Sequence, residues 1–216
     1  MNVTDRSPAA STFAALRRFS KAAEKLERCE WCGVGLGAEH RHLLEMGTRT
    51  IICACDPCAL RFQAVVDGKY KLIPRDARIV TEFQMGESEW EDLALPINLA
   101  FLYYDTPAGK VTALYPGPAG VTESLLGLGA WDELVRANQV LAGMERDVEA
   151  LLVNRVGEAR DYFIAPIDVC FELVGLIRIH WRGLSGGTEA WREIGRFFER
   201  LRVRSRQDGR EEGARA

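Results

Sequence analysis

The chain has almost no histidine and, outside one short stretch, almost no cysteine. It carries three histidines and six cysteines in 216 residues, and five of those cysteines lie between Cys29 and Cys58. No run of about 18 uncharged apolar residues is present, the length a helix needs to cross a bilayer. The best attempt, LALPINLAFLYY from Leu93, is interrupted by Pro96, so membrane insertion is not expected. Positive charge is not in excess either: the formal charge is −3 and the pI about 5.8. A generic nucleic-acid binder needs a basic field, so nucleic acid is not an expected partner. Two local basic runs, Arg17, Arg18, Lys21 and Lys25, then Arg200, Arg202, Arg204 and Arg206, read as solvated faces.

Other signals are also missing. The twin arginine of LRRFSKAA is followed by KAAEKLERCE rather than an apolar segment, and no cleavage site follows, so a cytoplasmic protein is expected. There is no internal repeat. The glycine-rich GLSGG at 183–187 lacks the preceding strand and the lysine of a phosphate loop. What remains is the composition of a soluble globular chain, 47% hydrophobic and 27% charged. In a reducing compartment, clustered cysteines are more often metal ligands or redox groups than disulfides.

The cysteines follow the pattern C-x2-C-x20-C-x-C-x2-C. The 22 residues between the two C-x2-C units fall just outside the usual zinc-site spacing of about 15–20. A C-x2-C turn puts two sulfurs on one side of a tight loop, and two such turns can complete a tetrahedral thiolate site. Cys29, Cys32, Cys55 and Cys58 are therefore the expected ligands. Gly33 lets the backbone turn sharply after the first pair. HRHLLEM and TRTIICAC read as a hairpin bent at Gly47. Asp56 and Pro57 then open a helix, for which Leu60, Phe62, Ala64 and Val65 are expected to supply the packing. Knuckle, hairpin, then a helix bearing the last ligands is a treble-clef-like order. Zinc suits four thiolates in a closed site; iron in a rubredoxin-like arrangement uses the same ligands, and an iron–sulfur cluster would need four of the five cysteines.

Cys53 is surplus. On a strand it faces the same way as Cys55, and it can replace Cys55, support the site or be buried as a small apolar group. His40 and His42 form an H-x-H pair whose rings project to one strand face. They read either as part of a second or mixed metal site or as packing beside the thiolates.

The larger remainder reads as an α+β domain. NLAFLYYD and KVTALYPG are strands joined by TPAG, PGPAG breaks the chain, and DVEALLVNRV and DYFIAP are further strands. Trp131, Leu134, Val135 and Leu141 mark a helix ending before Gly143. A second helix starts near Pro166 and carries a stripe of Cys170, Leu173, Val174, Ile177 and Trp181, widened by Leu176 and Ile179. A last helix, capped by Thr188, carries Trp191, Ile194, Phe197, Phe198 and Leu201. The expected organisation is an N-terminal helix or arm (1–28), a metal-binding module (29–75), an α+β domain (76–204) and a disordered tail (205–216). Cys170 and His180 are about 15 Å apart along one helix, too far for a nucleophile–base pair. Asp161 and Asp168 receive no acid–base role, and no catalytic residue is assigned.

The segments CEWCGVGLGAEHRHLLE, CACDPCALRF, YPGPAGVTES, DVEALLVNR and YFIAPIDVCFELVGLIRIHWRGLSGG together resemble an uncharacterised bacterial family over roughly residues 15–203. Its members are commonly encoded beside uptake nickel–iron hydrogenase genes. The resemblance implies an accessory role in hydrogenase assembly or electron transfer, with a hydrogenase subunit or precursor as partner. Cys29, Cys32, His40, His42, Cys53, Cys55 and Cys58 are positions that match, and so are GLSGG and the PID at 166–168, for which turn and helix-start geometry are a sufficient account. Three functions follow in order: a zinc-stabilised interaction protein, a rubredoxin-like electron carrier, and a metal-dependent hydrolase using His40 and His42.

Overall fold

The computed structural model describes residues 27–65, 68–93, 95, 97–124, 128–183 and 185–207. The expected N-terminal arm before residue 27, with the basic run Arg17, Arg18, Lys21 and Lys25, and the tail beyond 207 lie outside the described residues. The chain folds as a mixture of helices and two sheets. The smaller sheet has the strand order β2–β1–β3, from β1 (Arg41–Glu45), β2 (Thr50–Ala54) and β3 (Tyr70–Leu72). Helix α1 (Asp56–Val65) lies between β2 and β3. The hairpin turn follows Glu45, and its left-handed residue is Arg49, whose N–H closes the turn on Glu45 O at 2.8 Å.

The larger sheet has seven strands in the order β10–β4–β9–β8–β5–β6–β7. They are β4 (Arg78–Ile79), β5 (Leu99–Asp105), β6 (Lys110–Gly117), β7 (Gly120–Ser124), β8 (Glu149–Asn154), β9 (Asp161–Pro166) and β10 (Arg206–Gln207). All neighbours run antiparallel except β10 and β4. The short strand β10 forms where the sequence suggested that a tail begins. PGPAG, expected to break the chain, is the turn between β6 and β7.

Strand alternation sends β5 side chains to two different cores. Leu99, Phe101 and Tyr103 join Leu152 and Phe163 under α4 (Ile167–His180) and α5 (Gly187–Arg204). Ala100 and Leu102 join Leu151 and Val153 on the opposite face. That face is covered by Trp90 of α2 (Glu87–Asp92), Leu134 of α3 (Leu128–Ala137) and Leu141 of a 3-10 helix (Gln139–Gly143). With both faces covered, β8 is buried along its whole length, which is why EALLVN reads as a nearly continuous apolar run. Each fully buried Leu or Phe contributes about 1.5–3 kcal/mol through apolar burial.

Four helix expectations need correction. The helix through Trp131 stops at Ala137, and Leu141 belongs to the separate 3-10 turn. Asn138 makes the break, donating to Leu134 O and Gln84 O while its side-chain oxygen accepts from the Gln84 N–H. In α1 the packing residue is Ala59; Leu60 is 64% exposed, one helical step away from the inward line of Ala59 and Phe62. In α4, Ile179 is 66% exposed, because it is about 200° around the helix from Ile177. The last helix is preceded by Gly186 rather than capped by Thr188. Gly186 has φ +86°, and a Cβ there would stand 3.0 Å from the Trp181 ring, so only glycine fits without strain.

The small sheet docks on the large one. Leu43 faces Ala54, Ala59, Trp31 and Phe62, whereas Leu44 and Ile73 enter the core that holds Phe101 and Phe163. Polar ties reinforce the contact. Arg49 Nη1 donates to the buried Asp147 at 3.2 Å, Lys71 Nζ donates to Arg146 O at 2.5 Å, and His42 meets Asp168.

Candidate metal centre

Backbone hydrogen bonds build the first cysteine turn. Cys29 N–H donates to Val34 O at 2.9 Å, Gly33 N–H to Cys29 O at 2.8 Å, and Leu36 N–H to Glu27 O at 2.8 Å. Gly33 adopts φ +72°, the left-handed conformation that lets the chain fold back after Cys32. The second pair flanks a helix start: Cys55 immediately precedes α1, and Cys58 lies in its first turn. Trp31, between the first two cysteines, stacks on Phe62 of α1 with ring centroids 4.2 Å apart. That stack fixes the knuckle against the helix. Glu30 clasps the knuckle to β2, donating its N–H to Cys53 O at 3.0 Å and accepting the Cys53 N–H on Oε1 at 2.9 Å.

The result is a close group of four sulfurs. The Sγ atoms of Cys29, Cys32, Cys55 and Cys58 all lie within 4.8 Å of one another, and Cys32 and Cys55 are 3.7 Å apart. A disulfide requires about 2.05 Å. Four sulfurs about 2.3 Å from a tetrahedral zinc would be separated by roughly 3.8 Å. The donor set therefore fits a thiophilic metal ion: the Cys32–Cys55 pair already has that spacing, and no pair needs to close by more than about 1 Å.

Electrostatics agrees. Burial works against a thiolate at Cys29, but the backbone N–H groups of Cys55, Cys32 and Trp31 outweigh it and lower the thiol to about 6. A hydrogen bond that the Cys58 thiol donates to the Cys55 sulfur, burial and the other sulfurs push Cys58 up to about 12. At Cys32 the Val34 N–H favours the thiolate, yet the Cys29 sulfur and desolvation leave the thiol raised. A thiolate is thus favoured at Cys29 and disfavoured at Cys32 and Cys58, because clustered negative charges need a cation between them.

Three further expected residues form a second group. His42 on β1 and Cys53 on β2 are direct cross-strand partners, and His40 precedes His42 by two residues on the same face. A ring nitrogen of each histidine and Cys53 Sγ lie within 4.8 Å of one another. Cys53 and Cys55, expected to face one way, are split between the two groups because the chain leaves β2 at Ala54 and enters α1 at Asp56. Burial and the carboxylates of Glu27 and Glu30 raise the Cys53 thiol. The residue that sequence reasoning missed is Asp168 at the start of α4, whose Oδ2 is 2.7 Å from His42 Nδ1. Its partner is 126 residues away in sequence, and no local signal joins them.

Residues 28–205 match a family of unknown function, DUF5947. The chain belongs to that family. No curated protein and no solved structure matches it. The span shared with DUF5947 contains both groups of donor side chains and Asp168. Other residues considered from sequence lie elsewhere. Cys170 is fully buried, which pushes its thiol well up, and His180 lies 3.4 Å from Glu189. Asp161 accepts from Asn154 and Arg202, so it serves the β8–β9 edge and α5 rather than either donor group. No described helix of this DUF5947 protein is long and apolar enough to cross a membrane.

Proposed function

We propose that this protein is a zinc-stabilised accessory protein that acts by protein–protein interaction. Cys29, Cys32, Cys55 and Cys58 would hold one Zn2+ in a treble-clef-like module of knuckle, hairpin and helix. The carrying observation is the group of four sulfurs within 4.8 Å on two C-x2-C turns. Four soft, charged donors with no carboxylate or water position suit zinc in a structural role. Zinc there would supply folding free energy to a small sheet whose own core is short, comprising Leu43, Ala54 and Ala59 with partly buried neighbours. The six free cysteines support a reducing, cytoplasmic location. A hydrogenase subunit or precursor is the proposed partner, supported by the sequence resemblance described above.

A specific observation favours a second reading. Cys32 is exposed and Cys55 and Cys58 are half-buried, so one edge of the thiolate group reaches the surface. An electron carrier with rubredoxin-like iron needs such an edge for transfer to a partner. The two readings separate by elemental analysis and a visible spectrum on protein purified without oxygen. Zinc and no colour, with co-purification of a hydrogenase component, is the expected result. Iron with thiolate charge-transfer bands that bleach with dithionite would put the electron carrier first. Absence of any metal from freshly prepared protein would remove both.

A further inference from the structure

The tautomers of His40 and His42 are set by their surroundings. His40 Nδ1 is 3.0 Å from Gly37 O, and His42 Nδ1 is 2.7 Å from Asp168 Oδ2. A carbonyl and a carboxylate are acceptors, so each Nδ1 carries the proton and donates it. In the neutral ring each Nε2 is then left with a lone pair. For His40 that lone pair is stranded: the side chain is only 6% exposed, and Nε2 has no hydrogen-bond partner. The Glu27 carboxylate is 3.5 Å away but makes no hydrogen bond, and one acceptor does not satisfy another. A buried polar nitrogen without a partner is destabilising by about 1–3 kcal/mol. A bound ion is one of the few arrangements that satisfy such a group.

We propose that His40, His42 and Cys53 form a second metal site, separate from the four-cysteine centre, for a divalent transition metal of the zinc type. The two imidazoles would coordinate through Nε2 and Cys53 through its thiolate. Imidazole and thiolate donors select this class over magnesium or calcium, which take oxygen ligands. Asp168 is a positioning residue: its hydrogen bond to Nδ1 orients the His42 ring and strengthens it as a donor, the carboxylate–histidine–metal arrangement seen in zinc proteins. Three protein ligands leave one tetrahedral position for solvent or another ligand. A cavity of about 650 Å³ borders the two histidines, lined by His40, His42, Asp168, Glu172, Arg75 and Arg204. The four-cysteine group has no such complement, because its donors already number four. The second site's chemistry therefore differs from that of the first, and the proposal does not depend on which metal the cysteines hold.

The test is an anaerobic Co2+ titration of the reduced, metal-free full-length protein, followed by ligand-field absorbance and by counting bound metal. Two equivalents are expected, one with four-thiolate bands and one with the bands of a mixed nitrogen–sulfur site. His42→Ala should lose the second equivalent and its bands while the four-thiolate spectrum stays unchanged. Cys53→Ser provides the same readout should His42→Ala fail to fold, judged by circular dichroism. A wild type that binds one equivalent with four-thiolate bands alone overturns the proposal, as does a folded His42→Ala that still binds two. Should the wild type show only the mixed bands, lost in His42→Ala, this site stands and the zinc reading of the cysteines falls.

Discussion

The two donor groups share one hairpin yet are built on opposite plans. The four cysteines are held by backbone: amides point at Cys29, a left-handed glycine turns the chain, and the first turn of α1 presents Cys58. Every part of that arrangement comes from residues 27–65. The His40–His42–Cys53 group is held by side-chain contacts, and one of its supports, Asp168, lies at the start of α4. The first is complete within one short stretch of chain; the second draws a support from a helix 126 residues away, where the small sheet meets α4. Closed, local sites suit structural metals, whereas sites at the seam between elements, facing a cavity, suit exchangeable ligands.

That contrast predicts unequal responses. The largest effect belongs to Cys58→Ser. Apparent zinc affinity in small zinc modules is about 10–16 kcal/mol, more than the net stability of most domains, so losing a ligand should unfold the knuckle and hairpin. Limited proteolysis should then cut near residues 27–65, while the seven-stranded sheet keeps a cooperative thermal transition. Both metals should be lost, since the substitution removes a ligand of the first group and unfolding the hairpin takes away β1 and β2, which carry His42 and Cys53 of the second. Asp168→Asn should be milder and one-sided. Metal affinity at the mixed site should fall about 10–100-fold with the four-thiolate spectrum unchanged, as read by Co2+ titration. Leu60→Ala should be the least of the three. An exposed side chain beside Cys58 should change stability by no more than about 0.5 kcal/mol in denaturant unfolding, with metal content unaltered. Equal losses of metal at both sites in Asp168→Asn would erase the distinction drawn here.

The same contrast governs how much could be read without coordinates. The cysteine pairing was legible because C-x2-C turns and a helix start at Asp56–Pro57 are local chemistry, with spacing written directly in the chain. The hairpin was legible for the same reason, and it carried His42 and Cys53 to one face. The fate of Cys53 against Cys55 was not, because strand alternation holds only until the chain leaves β2. Helix phase failed at Leu60 and Ile179, since an apolar residue next to an apolar stripe gives no sign of which side is covered. Asp168 was seen as a carboxylate at a helix start and left without a role. Its meaning depends on a contact across 126 residues that only the packing of the small sheet on α4 creates. Asn138 and Gly186 were missed for a similar reason: each answers to a partner, Gln84 or Trp181, that periodicity does not see.

The reciprocal hydrogen bonds between Glu30 and Cys53 have a consequence for amide exchange. The knuckle is tied to β2 through this reciprocal pair, so its amides open together with the strand they hold. Loosening the turn at Cys29–Cys32 exposes the Cys53 N–H at the same moment, and a frayed β2 releases Glu30. Knuckle and strand end therefore form one opening unit, and their protons should exchange with deuterium at a common rate. Filling either donor group should slow that common rate, and an isotope label at Glu30 would then report on what is bound at Cys53.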